Sequence, residues 1–532
     1  MYLQADGTIK PKPLNPANVA NDKAKAAQAF NNFKNAIQSK VKDSYTNDVT
    51  YREESDINTI GTRLDFDITD NSTIGLDINY LEEDRDGSYN GNFHPMGFIP
   101  PLGHPKNPIV GYDNSGDPIS MFQKMKKVKG KCPAFDVPVN SKDENRRLDI
   151  GLDYQTAISE DLFLKLRAYS SYYKKRNTTT MKHYKDFGYP NEAKSASNGM
   201  NANVDIKTYE AVANYNLTEN HFLTAGVEKR DEKREATVFD NTPNMTEKKV
   251  DYKAIYLQDE WDVTDSLNAV IGARYDEISN ADNKATFKLG VTNSFSTMAN
   301  LRVLVAQGYR TPDIREMYIN KQTPRGLQQG ADVVKYNLKP EFTNSYEIGL
   351  GGRNNKLSYD AALFLNKIKD RISQVKKQNK NNTGEYYTFE NISKAETKGL
   401  ELSLNYDILK NLSTGISYTK LDTEDKKKKR DLEFNPEQTA SFNLNYTPIE
   451  SLSFLATVNY VGEQKYYEKN KAKKEVEKTT DDFTLVDLNI NYAINKTYSI
   501  YVGVNNVFDK EVDDILGSNV GTFYFTGLRA KF

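Results

Sequence analysis

Short polar turns and long hydrophilic connections alternate along almost the whole chain, and this asymmetry limits the possible folds more than any other feature. Six tight turns share nearly the same chemistry and lie at 69–72, 218–220, 264–266, 410–411, 449–451 and 495–496. Each turn joins two segments of roughly ten residues in which apolar and polar side chains alternate. The connections on the other side are much longer. A sandwich in water has no reason to keep every short turn at one end, so the pattern favours a sheet that crosses a membrane.

The alternating segments have two unlike faces. In one of them Val486, Leu488 and Ile490 alternate with Asp487 and Asn489. Acids that point into a dry core would be costly. A barrel with apolar residues towards lipid and polar residues towards a wet lumen removes this cost. The sequence therefore predicts an all-β fold, a transmembrane antiparallel β-barrel of the bacterial outer membrane.

About 19 such segments can be counted, whereas bacterial single-chain barrels have an even number of strands. We therefore expect about 19 strands of a 22-stranded barrel, with the first strands encoded before residue 1. The short turns are expected in the periplasm and the long loops outside. Residues 57–532 then form the barrel, and residues 1–56 an extracellular loop segment. Within that segment Phe30, Phe33 and Ile37 have helical spacing, which predicts a short helix.

Composition excludes several other classes of protein. The chain has 532 residues, a mean hydropathy of −0.73 and no run of 18 apolar residues, which excludes a helical membrane span. The net charge of −1 gives no global field for nucleic acid. Cys132 is the only cysteine, so a disulfide framework and a CxxC metal site are excluded. The first six residues lack a basic region followed by an apolar region, so a secretory signal is expected to be supplied upstream.

Enzyme motifs are absent from the sequence. It contains no GxSxG, HExxH or P-loop pattern, and the acidic stretch 82–86 lacks the spacing of a calcium-binding EF-hand loop. We therefore expect neither an enzyme nor a metal site, and no cofactor.

Five segments together resemble one known family. The closing segment 521–532 ends in an aromatic residue, and residues 504–510 resemble the element NxFDK that precedes the last strand. Residues 308–318 resemble GFRxPxxxELY, residues 338–349 resemble LKPExxxxYExG, and residues 391–401 resemble NxGKAxxxGxE, with Ser393 where glycine is commoner. In this order and spacing the chain resembles the TonB-dependent outer-membrane receptors over residues 57–532. The resemblance implies that the terminal Phe532 is the signal read by the barrel-assembly machinery.

Members of that family import scarce ligands, usually ferric siderophores and sometimes haem or cobalamin. The resemblance implies an N-terminal plug that fills the barrel and a TonB box that couples transport to the TonB–ExbB–ExbD complex. Residues 1–56 contain no domain of that size, so this chain is expected to be a truncated barrel part that lacks plug and TonB box. Outer-membrane lipid and an iron chelate are the other expected partners, and a Gram-negative outer membrane is the expected location.

The ligand site is expected in the loop 309–338, above the barrel mouth. A ferric catecholate is anionic and aromatic, so its site should offer cations together with aromatic rings. This loop carries Lys321, and the candidate ligand-binding residues are Tyr309, Arg310, Arg315, Tyr318 and Arg325. The alternative interpretation is that Arg310 pairs with Glu316 and has only a structural role.

Other functions remain open at this stage. A haem receptor of this family would place a histidine between the two motifs that flank the loop, but residues 313–338 contain none. The four histidines of the chain are His94, His104, His183 and His221. Haem or another iron source is the first alternative to a siderophore. A non-functional remnant and a passive channel are the others.

Overall fold

The computed structural model describes most of the predicted barrel. The described residues are 2–3, 9–10, 54–93, 109–112, 118–120, 135–182, 184, 190–196, 199–240, 244–323, 326–378, 385–470, 474–517 and 521–531. The helix expected near residue 33, the candidate residue Arg325, the terminal Phe532 and Cys132 lie outside this part of the chain.

Nineteen long strands form the wall within the described residues, as the alternation predicts. Strands are numbered along the chain. The wall consists of β3 (Glu54–Thr69), β4 (Ser72–Phe93), β7 (Phe135–Ala157), β8 (Leu162–Met181), β9 (Ala202–Thr218), β10 (His221–Ala236), β11 (Thr246–Thr264), β12 (Leu267–Ile278), β13 (Lys284–Ser296), β14 (Ala299–Arg310), β17 (Glu341–Arg353), β18 (Leu357–Gln378), β19 (Glu385–Leu409), β20 (Leu412–Asp425), β21 (Gln438–Ile449), β22 (Leu452–Val461), β25 (Phe483–Ala493), β26 (Tyr498–Asn505) and β27 (Phe523–Ala530).

The remaining elements are short. The short strands are β1 (Tyr2–Leu3), β2 (Ile9–Lys10), β5 (Ile109–Tyr112), β6 (Pro118–Ser120), β15 (Asn320–Thr323), β16 (Gly326–Gln329), β23 (Lys465–Lys469) and β24 (Glu475–Thr479). Helix α1 spans Ile314–Tyr318, and 3-10 turns lie at Glu192–Ser195 and Asp514–Leu516. No helix among the described residues is long and apolar enough to cross a membrane.

Each wall strand pairs antiparallel with the wall strand before it, and the sheet forms a closed barrel in which β27 stands next to β3. The six tight turns all lie at the same end, which confirms the orientation pattern read from the sequence. Every residue of β3 is exposed. The meander of hairpins explains how a chain with only local alternation builds so large a sheet, because each strand needs to find only its neighbour in sequence.

The strands are longer than the roughly ten residues expected from the alternation. Strand β19 has 25 residues and β4 has 22. Strand β7 begins at Phe135, whereas the alternation predicted a start near residue 146, and its pairing with β4 continues to Phe93 opposite Phe135. Above the apolar band both faces carry polar residues, so the sheet continues without the apolar signal from which strands were recognised.

The two faces of the wall differ as predicted. Outward residues such as Val227, Ile255 and Leu257 are 51 to 59% exposed, as expected for side chains that face lipid. The inner face holds ion-pair networks. In one of them Arg63 bonds to Asp65 at 2.6 Å, to Asp153 at 3.2 Å and also to Asp77.

Tyrosines lie where the outward residues change from apolar to charged. Tyr80, Tyr172, Tyr209 and Tyr275 are all exposed at this level of the wall, which is the position of an aromatic belt at the outer interface. At the opposite end the single tryptophan, Trp261, stacks on His221 with ring centroids 5.3 Å apart. The two levels bound the apolar band that crosses the membrane.

A small hydrophobic core closes part of the mouth. It joins the outer ends of β9, β10, β11 and β12 to the loop that follows β14. Its fully buried members include Phe239, Val250, Ile314 and Ile319. This core positions the loop that the sequence singled out, and the candidate site is built on it.

Candidate functional site

Arg310 fixes the loop to the wall. Its guanidinium donates to both Glu341 oxygens at 3.0 and 3.1 Å and to both Glu316 oxygens at 3.0 and 3.2 Å. Glu341 also accepts the backbone N–H of Ile372 at 2.7 Å. The two carboxylates are only 17 and 18% exposed. Arg310 therefore joins β14, α1 and β17, which is the structural role that the sequence left open as the alternative.

Helix α1 is a single capped turn. Asp313 accepts the backbone N–H of Arg315 at 2.7 Å, and Glu316 accepts the backbone N–H of Asp313 at 2.8 Å, which forms a capping box. The helix then places Ile314 in this core and Met317 in a second buried cluster beside it. Beyond it, the backbone N–H of Asn320 donates to Val238 at 2.8 Å. The loop is thus bound to the neighbouring strands through its own backbone.

The two predicted tyrosines are half-buried beside this core. Tyr309 and Tyr318 both pack against it, and the ammonium of Lys248 lies 5.2 Å from the centre of the Tyr318 ring. Burial raises the pKa of Tyr318 above its usual value, and the nearby Asp332 adds to the effect. Burial likewise raises the pKa of Tyr309, so both hydroxyls are neutral at pH 7.

Tyr309 departs from the alternation of its strand. Strict alternation would place it on the outer face with Val305, because Arg310 and Ala306 share the inner face. However, β14 stops pairing with β13 at Ala306, so its outer end leaves that neighbour. Tyr309 then reaches the core and lies beside the Asp276 carboxyl.

Two of the other described cations of the loop differ in exposure. Arg315 is exposed, and its side chain has no ion pair with any residue that the structure describes. Lys321 is 6% exposed, and burial lowers its pKa below the usual value. Arg325 lies outside the described residues, so its place in the site stays a prediction.

The structure adds two arginines that the sequence did not single out. Arg230 and Arg234 lie on the inner face of β10, about 13 Å apart along the strand. Their buried Nε–H groups have no hydrogen-bond acceptor among the described residues. The guanidinium of Arg230 stacks 3.9 Å from the centre of the Tyr252 ring. Two cations and an aromatic ring thus share the wall beneath the loop.

Glu232 stands between these arginines on the same face. Burial raises its pKa above the usual value, the two arginines lower it in part, and Asp313 raises it again. Two arginines and one tyrosine thus form a partly buried surface at the inner mouth, which we call the mouth patch and define as Arg230, Arg234 and Tyr252.

The mouth patch was missed because of its sequence context. Residues 228–235 read Glu-Lys-Arg-Asp-Glu-Lys-Arg-Glu, with charges on both faces and no apolar residue to mark which one is outside. Only the pairing of β10 with β11 separates Arg230 and Arg234 from Lys229 and Lys233. Had β10 been recognised as continuing above the membrane as a strand, its alternation would have placed both arginines on the inner face.

No cluster of metal-ligating side chains occurs in the described part of the chain. His221 lies at the turn end of β10, where its Nδ1 is 2.9 Å from the Asp259 carboxylate. The other three histidines lie outside the described residues. Haem binding by a histidine near the mouth therefore stays a prediction.

Comparison with known proteins adds a family to this geometry. A family model described as TonB dependent receptor-like, beta-barrel matches residues 110–507. The iron-regulated outer membrane virulence protein of Vibrio cholerae serotype O1 is 26% identical over 328 residues, which is 59% of this chain and 49% of that protein. The vitamin B12 transporter BtuB of Photobacterium profundum is 25% identical over 324 residues, 59% of this chain and 48% of that protein.

Solved structures agree on the fold. The siderophore receptor PirA from Acinetobacter baumannii superposes with a TM-score of 0.64 at 18% identity, covering 93% of this chain and 73% of that one. At this identity the likeness is one of architecture. The chain spans about half the length of the curated relatives it matches.

Proposed function

Because this chain belongs to the TonB-dependent receptor-like β-barrel family, we propose that it binds an anionic iron chelate at its mouth and serves its import by TonB-coupled active transport. The family consists of outer-membrane receptors and transporters, which are not enzymes, and they work with TonB. The finer partners belong to the proposal: the ExbB–ExbD part of the energy-coupling complex, and outer-membrane lipid around the apolar band.

The mouth patch is the observation that carries the proposal. Arg230 stacks on an aromatic ring, and the buried Nε–H groups of Arg230 and Arg234 lack acceptors in the described structure. An unsatisfied buried donor is costly, and the cost is removed when an anion supplies the acceptor. A ferric catecholate offers both anionic oxygens and aromatic rings, which fits this combination of groups.

The five sequence candidates take different roles in this proposal. Arg315 contacts the chelate from the exposed side of the loop, and Tyr309 and Tyr318 line the space between loop and wall. Arg310 positions the loop and does not contact the ligand itself, because all three of its guanidinium nitrogens already donate to Glu316 and Glu341. Arg325 is proposed as a further cation above the mouth. Residues 57–532 are proposed as the barrel unit, with Phe532 as its assembly signal.

An equilibrium binding assay on outer-membrane fractions tests the proposal. The probe is radio-iron-labelled ferric enterobactin, with haemin and cyanocobalamin as competitors. A charge-assisted hydrogen bond contributes about 1.5–3 kcal/mol, so Arg230→Gln with Arg234→Gln should weaken binding by about a hundredfold or more. Lys233→Gln is the matched control, since Lys233 lies between the two arginines in sequence but on the outer face, and it should leave affinity unchanged.

The competitors separate the alternatives. Displacement of the labelled probe by haemin or cyanocobalamin at lower concentrations than by unlabelled ferric enterobactin would replace the proposed ligand class. Equal losses in the arginine variant and in the Lys233 control would remove the mouth patch from the site. Uptake that continues after a protonophore collapses the inner-membrane potential would support a passive channel instead of coupled transport.

A further inference from the structure

A groove in the lipid-facing wall lies directly below a pair of opposed lysines. The groove has a volume of about 640 Å³ and spans β8 to β13. Its floor is made of outward-facing alanines: Ala211, Ala213, Ala225, Ala273 and Ala285. Larger apolar residues, among them Leu164, Val227 and Ile255, form its sides. Small residues between large ones thus leave a channel in the apolar band that is wide enough for hydrocarbon.

The groove ends at the outer interface. On β10 the outward residue that follows Val227 is Lys229, and on β11 the outward residue next to Ile255 is Lys253. Tyr209 and Tyr275 of the aromatic belt stand at the same level, 48 and 47% exposed. The change from apolar to charged side chains therefore occurs at the groove's upper end, where lipid head groups lie.

Lys229 and Lys253 are directly opposite each other in the register of β10 and β11. Like charges in such a pair destabilise a sheet, because the Cβ atoms are only about 5 Å apart. Each ammonium group has one carboxylate neighbour, since Lys229 lies 3.3 Å from Asp231 and Lys253 donates to Glu277 at 3.3 Å, but exposed ion pairs of this kind contribute little. Both lysine side chains are more than half exposed. A phosphate has enough acceptor oxygens to take hydrogen bonds from both ammonium groups.

We propose that the groove and the lysine pair form a binding site for one phosphate-bearing lipid of the outer leaflet. An acyl chain lies in the alanine-floored groove, and the phosphate is bound between Lys229 and Lys253. The observations support each other, because the groove accounts for the chain and the opposed charges account for the head group. The inference uses only the outer face of the wall, so it holds whichever ligand enters the mouth.

Native mass spectrometry of the full chain, folded in detergent micelles, tests the site. The probes are dioleoyl phosphatidic acid, dioleoylglycerol and inorganic phosphate. The expected result is one tightly retained phosphatidic acid per barrel, with neither dioleoylglycerol nor inorganic phosphate retained at the same concentration. Retention of dioleoylglycerol to the same degree would show that the lysines do not select the head group. Competition by inorganic phosphate at the lipid's own concentration would show that the groove adds nothing. Either outcome would overturn the proposal.

Two pairs of variants locate the site. Lys229→Gln with Lys253→Gln should lower the affinity for phosphatidic acid about tenfold or more, since both charged donors are lost. Its matched control is Lys233→Gln with Lys249→Gln, because those lysines are also directly opposed but lie four residues further from the groove. An equal loss in the control pair would mean nonspecific attraction to charge, and would refute the site.

The groove is tested separately. Ala225→Leu fills its floor and should reduce the binding of phosphatidic acid, while Ala456→Leu places the same side chain on the lipid face of β22, away from the groove. Unchanged binding in the Ala225 variant would remove the groove from the proposal. Retained heat-modifiable migration in gel electrophoresis shows that each variant is folded.

Discussion

Arg310 should determine how firmly the loop is held over the mouth, and its loss can be given a magnitude from the structure. Arg310→Ala removes four hydrogen bonds and leaves Glu316 and Glu341 unpaired, at 18 and 17% exposure. Breaking a buried pair costs about 3–5 kcal/mol, and an exposed pair contributes about 0.2–1 kcal/mol. The arginine itself is 45% exposed, so the expected cost lies between these limits, at about 1–2 kcal/mol.

Hydrogen exchange measured by mass spectrometry reads this cost directly. Local opening governs exchange, so a loss of about 1–2 kcal/mol should speed exchange at 314–338 by about 5- to 30-fold. Strands on the far side of the barrel, such as β21 and β22, should exchange as before.

Arg315→Ala is the matched control, because Arg315 lies in the same loop but is exposed and has no ion pair in the described structure. It should change exchange in the loop by less than twofold. If Arg310→Ala also leaves the exchange of the loop unchanged, the loop is held by its hydrophobic core alone, and the anchoring role assigned to Arg310 is wrong.

Three further predictions concern other parts of the molecule. Gly330→Ala should open the loop and speed its hydrogen exchange, because an added Cβ would stand 2.3 Å from the carbonyl oxygen of Met317, and normal exchange would contradict that contact. Lys321→Met should slow hydrogen exchange of the loop at pH 7, because it removes a buried charge. Burial lowers the folded-state pKa of Lys321 below 10.5, so the open loop binds more protons than the closed one. The closed wild-type loop therefore gains stability as the pH rises towards 10.5. A wild-type loop whose protection, after correction for intrinsic exchange, does not rise as the pH approaches 10.5 would refute this assignment. The fluorescence of Trp261, the single tryptophan, should be quenched more by lipids brominated near the head group than by lipids brominated near the chain end. The reverse order would show that the turn end of the wall does not lie at the membrane interface.

The architecture could be read from the sequence because each strand carries its own signal. Segments such as 486–492 alternate strictly, and tight turns such as Thr264–Ser266 mark every second connection at the same end. The number of strands and the side of each loop follow from such local information. The outer parts of the strands could not be read in this way. Residues 228–235 and 140–145 pair as strand, but neither face is apolar there, so the hydrophobic pattern ends before the sheet does.

The candidate site was predictable in position but not in its chemistry. The motif around Arg310 placed a loop over the mouth, and the structure places it there. What Arg310 does depends on Glu341, which is 31 residues away in sequence and meets it only because β14 pairs with β17. Arg230 and Arg234 become recognisable as a patch only once the register of β10 decides which face is inside. Contacts between strands of a closed sheet are not local, and single-sequence patterns do not contain them.

The opposed charges of β10 and β11 also bear on how the barrel assembles. In the native register Lys229 faces Lys253, Asp231 faces Asp251, and the same pattern continues to the outer ends of both strands. A slip of two residues would keep every side chain on its own face and would bring three of the four outward lysines (Lys229, Lys233, Lys249 and Lys253) opposite a carboxylate. No tight turn fixes this register, because the two strands are joined on the outer side by residues 237–245. The slipped pairing is therefore a misregistered state that competes with the native one during folding and is stabilised by electrostatic attraction. Added salt screens this attraction, so it should speed refolding of the barrel into micelles.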